Sequence, residues 1–273
     1  MRVAIQGEPG SFSHEAAIHA LPEATIFPCT VSRDVFSALA AGKVDAAVIP
    51  IENSLAGSVA EHYDLLLEHD VAIESESLLR IRHNLIGMPG ASLDQVRRVY
   101  SHPVALAQCK KFLEKHPQMG VTPFYDTAGS VKQLMQWKEE AVAGIASSQA
   151  ALHYGGQILA EGIEDNPENY TRFFLIRLRR DVKANLMPDK VSLAFTVENE
   201  PGTLVEALQV FSSQGTNLTR IESRPVPGRP WEYVFYADYQ LSHPDTADMA
   251  LELLAAHCSM VKELGRYHAA VQP

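Results

Sequence analysis

Cysteine is scarce in this sequence and long apolar runs are missing, and each shortage excludes a class of protein. Cys29, Cys109 and Cys258 are odd in number and far apart, which is typical of reduced thiols and not of a disulfide framework. No run of about 18 apolar residues is present to span a bilayer. The chain enters an apolar segment at Val3 without the leader of a secreted protein. These features predict a cytoplasmic protein that does not bind membranes.

Basic residues are in the minority, with 23 Lys and Arg against 33 Asp and Glu and a formal net charge of -10. Nucleic acids and anionic membranes repel an acidic chain that has no basic cluster. The sequence therefore argues against both kinds of partner. An anionic ligand would have to be bound by a few well-placed donors.

The common signatures of metal and nucleotide sites are absent as well. His14 and His19 resemble the histidine pair of a zinc-protease helix, but their spacing places them about 140° apart around a helix, so they cannot bind one metal together. The turn at 7–10 lacks the glycine spacing of a dinucleotide site and the Lys-Ser/Thr of a phosphate loop. We therefore expect no metal and no cofactor.

Short apolar runs alternate with helical patterns over roughly the first half of the chain. Runs at 3–5, 46–49, 78–86, 98–100 and 142–145 predict strands, and amphipathic segments between them predict helices. This βαβ rhythm is typical of an α/β fold with a mostly parallel sheet.

A second pattern begins after a polar stretch that contains Pro188, which predicts a linker and domains at 1–180 and 189–273. Residues 191–197 alternate between opposite faces of a predicted strand. A helix that ends at Gly215, strands at 217–224 and 231–239, a helix at 245–257 and a strand at 261–267 follow. The order βαββαβ is that of a ferredoxin-like domain.

Polar turns follow several of the predicted strands and open the next helix. They lie at 7–13, 50–58, 101–103 and 126–130, and the pair Thr171-Arg172 stands at the edge of a further apolar run. Each turn alone is more often a helix cap than a binding site. Together, at one end of adjoining strands, they predict a cleft rich in hydroxyl and amide donors.

The Thr171-Arg172 pair is the most informative of these features. Arg172 can bind a carboxylate through two parallel N–H bonds, and Thr171 can donate to a further oxygen. Taken alone, such a pair at the start of a strand is more often two surface residues than a site. Its position among the polar turns favours a site.

These segments, taken in order, resemble the motifs of monofunctional prephenate dehydratases with a C-terminal ACT regulatory domain. The matching segments span 7–13 (GEPGSFS), 50–57 (PIENSLAG), 101–109 (SHPVALAQC), 126–128 (DTA) and 169–173 (NYTRF), so the resemblance covers essentially the whole chain. It implies a two-lobed, periplasmic-binding-protein-like α/β catalytic domain followed by a ferredoxin-like ACT domain.

The resemblance also implies a carbon–oxygen lyase that converts prephenate to phenylpyruvate, with loss of carbon dioxide and water, in L-phenylalanine biosynthesis. Thr171 would donate a hydrogen bond to the leaving hydroxyl, Arg172 would orient a carboxylate, and Phe173 would pack against the ring. Glu52 and His102 are alternative acids, and the ultimate proton donor stays open. The residues expected to bind substrate are Ser11, Asn53, Ser54, Ser101, Thr127 and Ala128.

For the small domain the resemblance implies feedback inhibition by L-phenylalanine, bound where two such domains meet in a homodimer or homotetramer. Thr203 replaces the alanine common in the effector turn, which bears on effector affinity and not on the fold. Without the resemblance, the domain would be a dimerisation module. The effector residues would be Gly202, Thr203, Leu204, Val205, Asn217, Leu218, Glu222, Ser223 and Arg224.

Two other functions fit the same residues. Arogenate, the amino counterpart of prephenate, could be the substrate in addition or instead. A non-catalytic two-lobed sensor of a small acid would also use hydroxyl-rich turns.

Overall fold

A computed structural model describes residues 1–183, 187–226, 228–241, 243 and 246–271. Among these residues the strands form three sheets. The first lobe contains β1 (Arg2–Gln6), α1 (Phe12–Ala20), β2 (Thr25–Cys29), α2 (Ser32–Ala40), β3 (Ala46–Asn53), β4 (Gly57–Ser58), α3 (Ala60–Glu68), β5 (Val71–Arg80) and β11 (Tyr170–Leu178). Its sheet has the order β2-β1-β3-β11-β5, with β4 paired to β3.

The core of the first lobe follows from its uninterrupted apolar strands. β1 pairs in parallel with both β2 and β3, and Val3, Ala4 and Ile5 on β1 are completely buried. Strands of a parallel sheet lose both faces to covering helices, so they are apolar throughout and do not alternate. Val35, Phe36 and Leu39 on one side of α2 are buried as well.

The second lobe has its own mixed sheet, of order β10-β6-β9-β7-β8. β9 is buried at every residue and pairs in parallel with β7 and antiparallel with β6. The lobe contains β6 (Asn84–Gly87), β7 (Arg98–Ser101), α4 (Pro103–Gln108), α5 (Lys110–Glu114), β8 (Gly120–Pro123), α6 (Thr127–Trp137), β9 (Val142–Ala146), α7 (Ser148–Tyr154) and β10 (Gln157–Ala160).

The C-terminal domain is an antiparallel sheet of order β13-β14-β12-β15 with two helices. Its elements are β12 (Lys190–Thr196), α8 (Thr203–Ser213), β13 (Asn217–Pro225), β14 (Tyr233–Gln240), α9 (Thr246–Ala255) and β15 (Met260–Tyr267). Leu193 and Phe195 of β12 pack with Phe211 and Leu254 of the helices in one core. Two α/β lobes and a βαββαβ domain confirm the predicted fold class.

One predicted strand is wrong. The apolar run at 78–86 was expected to form a single strand, but β5 ends at Arg80 and β6 begins at Asn84. Between them the chain crosses from the sheet of the first lobe to that of the second. Periodicity cannot reveal such a crossing, because both flanking strands are apolar.

The chain forms two compact units, 1–62 with 77–173 and 63–76 with 174–273. β5 and β11 are continuous strands that each contribute residues to both units.

Parts of two predicted segments lie outside the described residues. These are residues 184–186 of the predicted linker and Asp245, the first residue of the helix predicted at 245–257. Over the described ranges, no helix combines the length and apolarity needed to cross a bilayer.

Candidate active site

A cavity of about 770 Å³ lies in the first unit, where strands of both lobes end. Its volume is in the range of pockets that bind small metabolites. All of the predicted polar turns contribute to its wall, so the structure brings together segments that are far apart in sequence. The predicted site residues that line it are Ser11, Asn53, Thr127, Thr171 and Phe173, together with His102.

Strand β11 positions Thr171 and Phe173 at the cavity. Successive side chains of a strand point to opposite faces, so these two residues share one face. Both line the cavity and are largely buried, with 8% and 2% of their surface exposed. Arg172 lies between them, is not among the lining residues and has partners of its own. Strand alternation therefore turns Arg172 away, and the geometry does not support direct binding of a substrate carboxylate by its guanidinium.

Asn53, the last residue of β3, orients Thr171. Its Oδ1 accepts hydrogen bonds from the backbone N–H groups of Leu55 at 3.1 Å and Ala56 at 2.8 Å. Because backbone N–H groups can only donate, the amide nitrogen must face the other way. There Nδ2 donates to Thr171 Oγ1 at 3.0 Å and to the Tyr170 carbonyl at 3.1 Å. Thr171 Oγ1 thus accepts from Asn53, which leaves its own proton for another acceptor.

Two further side-chain amides are oriented by their hydrogen bonds in the same way. Asn53 Nδ2 also donates to Asn169 Oδ1 at 2.8 Å, so the Nδ2 atom of Asn169 faces Gln108 and donates to its Oε1 at 3.0 Å. Gln108 Oε1 lies 2.9 Å from His83 Nε2. Because that oxygen accepts, Nε2 carries a proton, and the neutral His83 ring has a bare Nδ1. We call these five residues, from Thr171 to His83, the amide relay.

His83 is the most deeply buried titratable group at the cavity wall, with 2% of its surface exposed. Burial lowers the pKa of His83, while its bond to Gln108 and the nearby Glu164 act in the opposite direction. Within the described part of the chain, no group forms a hydrogen bond with its buried Nδ1 atom. In its neutral form the ring therefore has a buried acceptor atom, Nδ1, that has no partner among the described groups.

Two helices begin at the cavity wall. Ser11 is the N-cap of α1, and its Oγ accepts from the His14 N–H at 3.3 Å. Thr127 is the first residue of α6, whose N-cap Asp126 accepts from the Gly129 N–H at 2.7 Å. N–H groups at the start of a helix favour bound anions. Burial raises the pKa of Asp126, the Gly129 N–H opposes this effect, and Glu8 adds to it.

Three predicted binding residues do not line the cavity. Ser54 donates to the Glu168 carbonyl at 3.2 Å and accepts from the Tyr170 N–H at 3.0 Å, so its hydroxyl joins the end of β3 to the start of β11. Ser101 is completely buried and donates to the Ile145 carbonyl at 2.6 Å. Ala128 is completely buried in the first turn of α6. These contacts support the loops that carry Asn53, His102 and Thr127.

Polar residues that the sequence did not predict as site residues also line the cavity, among them Glu8, His83, Gln108 and Lys132. Lys132 Nζ lies 3.1 Å and 3.0 Å from the two carboxylate oxygens of Glu8. The only available signal for Glu8 and Gln108 was their place inside the quoted motifs. Lys132 lies on α6, after the polar turn at 126–130. His83 falls within the run at 78–86, which was wrongly predicted to be one strand.

The residues expected to sense an effector lie in the C-terminal domain. Gly202 caps α8 with a left-handed φ of 96°, and Thr203 Oγ1 donates to the Glu198 and Glu200 carbonyls at 2.7 Å and 3.0 Å. Leu204 and Val205 follow on α8, and Val205 is 58% exposed. The remaining residues lie on the edge strand β13: Asn217, Leu218, Glu222, Ser223 and Arg224.

Comparison with known proteins assigns the family. A family profile described as prephenate dehydratase matches residues 3–181, and an ACT-domain profile matches residues 191–238. The chain is 39% identical to arogenate dehydratase/prephenate dehydratase 2 of Arabidopsis thaliana over 98% of its own length and 72% of that protein. This chain belongs to the prephenate dehydratase family.

Solved structures that resemble this chain include a prephenate dehydratase and a protein described as an acylase. Prephenate dehydratase from Arthrobacter aurescens, in complex with L-Phe, has a TM-score of 0.87 and 32% identity, covering 98% of this chain and 90% of that one. A structure described as GqqA, a novel type of quorum-quenching acylase, has a TM-score of 0.89 and 32% identity, covering 99% and 98%. Members of the prephenate dehydratase family are decarboxylating lyases, and this member carries an ACT regulatory domain.

Proposed function

We propose that this protein converts prephenate to phenylpyruvate and is inhibited by L-phenylalanine. The observation that supports the reaction most is the Thr171 hydroxyl, which faces a cavity while Asn53 holds its oxygen as an acceptor. Its proton is then available to the ring hydroxyl of the substrate, a poor leaving group that needs hydrogen bonding or protonation to depart. Phe173 excludes water beside it. We retain 1–180 and 189–273 as the catalytic and regulatory domains.

The test is a steady-state assay with prephenate and with arogenate, in which phenylpyruvate and phenylalanine are measured separately. Prephenate is expected to be the better substrate. If neither compound gives a product, the proposed dehydratase activity is rejected, and the non-catalytic sensor of a small acid is the function that still fits. Faster turnover of arogenate would reverse the substrate assignment.

Acylase activity has weaker support. Amide hydrolysis by a hydroxyl requires a neighbouring base that takes its proton. In the described part of the chain no base accepts a proton from Ser11 Oγ or Thr171 Oγ1, and the hydrogen bonds of these oxygens are ones that they accept, from the His14 N–H and from the Asn53 amide. The geometry therefore favours hydrogen-bond donation to a leaving group over nucleophilic attack.

Lys132 is the substrate-facing cation that we propose in place of Arg172. It is the one Lys or Arg among the cavity-lining residues of the described chain. Prephenate carries two carboxylates, and a charge-assisted bond contributes about 1.5–3 kcal/mol. We therefore expect Lys132→Met to raise KM about 10- to 100-fold with kcat changed less than about 3-fold. Lys43→Met, at an exposed position away from the cavity, is the matched control. Unchanged KM in Lys132→Met would mean that the carboxylates bind elsewhere.

The effector proposal is supported by the L-Phe complex of a relative and by the ACT domain of this chain. We propose that L-phenylalanine binds at the start of α8 and along β13, where two C-terminal domains meet in a homodimer or homotetramer. Free thiols at Cys29, Cys109 and Cys258 are consistent with a cytoplasmic location. If calorimetry detects no binding of phenylalanine to the intact protein, phenylalanine is not its effector.

Within the second unit, Arg224 of the effector segment forms a bidentate pair with Asp64, with Nε at 2.9 Å and Nη2 at 2.6 Å from the two oxygens. Such a pair fixes the guanidinium in one geometry. We expect Asp64→Asn to raise the half-inhibitory concentration of phenylalanine at least about 5-fold, a typical coupling energy, without changing kcat/KM in its absence. Asp70→Asn breaks an exposed pair with Arg179 and should leave inhibition unchanged. If phenylalanine inhibits both variants and the wild type equally, Asp64 has no part in the inhibition.

A further inference from the structure

The proposed reaction consumes one proton for each molecule of prephenate converted. Prephenate is a dianion, and one added proton balances its conversion to phenylpyruvate monoanion, carbon dioxide and water. An aliphatic hydroxyl such as that of Thr171 is too weak an acid to supply the proton alone. A titratable group at the cavity must supply it.

The titratable side chains at the cavity wall are Glu8, Cys29, His83, His102, Tyr125, Asp126 and Lys132. Glu8 is bonded to both Lys132 and Tyr125, and burial raises the pKa of the Cys29 thiol, which leaves His83, His102 and Asp126 as candidate acids. His102 Nδ1 is committed as the cap of α4, accepting from the Val104 N–H at 3.3 Å. Asp126 Oδ1 already accepts a hydrogen bond from the Gly129 N–H in the first turn of α6. His83 differs, because its Nε2 is tied to the amide relay while its Nδ1 is buried and lacks a partner among the described groups.

We propose that His83 is the proton donor of the reaction and acts through Nδ1. The relay keeps the first ring proton on Nε2, so a second proton can only enter at Nδ1. Nδ1 is buried in the free protein, so the ring turns toward the cavity when substrate binds. The imidazolium gives this proton to the ring hydroxyl, the C–O bond breaks, and water leaves. The electron pair of the C–carboxylate bond moves into the ring as carbon dioxide departs. His83 returns to the neutral form and takes a new proton from solvent, so atoms and charge balance.

The surroundings of His83 suit a strong acid that is charged only when substrate is present. Its ring and that of Phe12 are nearly perpendicular, with ring centroids 5.5 Å apart, and Gln108 is neutral. Glu164 accepts the His83 backbone N–H at 2.9 Å. The charged and titratable groups elsewhere on the cavity wall are Glu8, Cys29, His102, Tyr125, Asp126 and Lys132. The two carboxylates of bound prephenate favour the imidazolium, and burial makes that imidazolium a stronger acid.

The inference rests on the proposed reaction, and its test is a pH profile of kcat for the wild type, His83→Gln, His102→Gln and His19→Gln. Glutamine at 83 retains a terminal N–H for Gln108 but has no titratable nitrogen. We expect kcat to fall about 10²-fold in His83→Gln with KM within about 3-fold. Wild-type kcat should decline as pH rises through the histidine range, and this decline should vanish in His83→Gln. His19 is exposed and its variant is the control.

Loss of the alkaline decline in His102→Gln but not in His83→Gln would overturn the proposal. A wild-type kcat that is constant between about pH 6 and 9 would overturn it as well, and that measurement does not depend on the folding of any variant. Phenylalanine binding by calorimetry, retained in His83→Gln, shows that the variant is folded. Failure of the wild type to consume prephenate at any pH would reject the proposed function itself.

Discussion

Replacing Thr171 by alanine will lower kcat by about 10³-fold and change KM little. The loss is large because the hydroxyl donates to an oxygen that gains negative charge only as the C–O bond breaks, so the bond is strongest in the transition state. The alanine methyl group leaves the Phe173 face of the cavity in place. Steady-state kinetics with prephenate measure both constants.

Thr171→Ser is the matched control, since serine keeps an oxygen that can accept from Asn53 and a proton to donate. We expect it to retain kcat within about 10-fold of the wild type. Serine lacks the γ-methyl group that restricts the rotamer of threonine, which accounts for a partial loss. An alanine variant with a raised KM and an intact kcat would show that Thr171 only binds the ground state.

Substituting aspartate for Asn53 is expected to cost nearly as much, at least about 10²-fold in kcat. A carboxylate cannot donate, so Thr171 would turn its own proton toward residue 53 and lose it as a donor to substrate. The same change places negative charge against the Asn169 Oδ1 and Tyr170 carbonyl oxygens, which now accept from Asn53. We therefore also expect the free energy of unfolding to fall by about 1–3 kcal/mol, measured by chemical denaturation.

A double-mutant cycle separates the two roles of Asn53. In the Thr171→Ala background, Asn53→Asp should lower kcat less than about 10-fold further, because the hydroxyl it orients is already gone. The stability loss should remain. Asn166→Asp is the control, since Asn166 is exposed and its side chain only accepts from the Glu168 N–H. Fully additive losses in kcat would mean that Asn53 does not act through Thr171.

Much of the fold was predictable, because it is encoded locally. In the C-terminal domain the sequence of β12 alternates, although the structure buries residues 191–195 on both faces, and α8 ends close to Gly215. The polar turns at Ser11 and Asp126 have the composition of helix caps. These signals depend on neighbouring residues in sequence. They also located the cavity, since helix starts gather where strands end.

The finer features of the site depend on tertiary structure and left no local signal. Whether Thr171 or Arg172 faces the cavity is decided by the phase of β11 in its sheet, and a shift of one residue would exchange them. Lys132 meets Glu8 across 124 positions of sequence. His83 reaches the cavity only because the chain leaves one sheet for another between Arg80 and Asn84.

The short turn after β3 also limits how this loop can evolve. Asn53 is bonded to the N–H groups of residues two and three positions further along the chain, so an inserted residue there would break the anchor of its side chain. A displaced Asn53 side chain would also disturb the other members of the amide relay, as far as the imidazole of His83, 30 positions away in sequence. Length variation among homologues should therefore be rare at 53–56 and common in exposed connections such as the one near Gly90, which the site does not use.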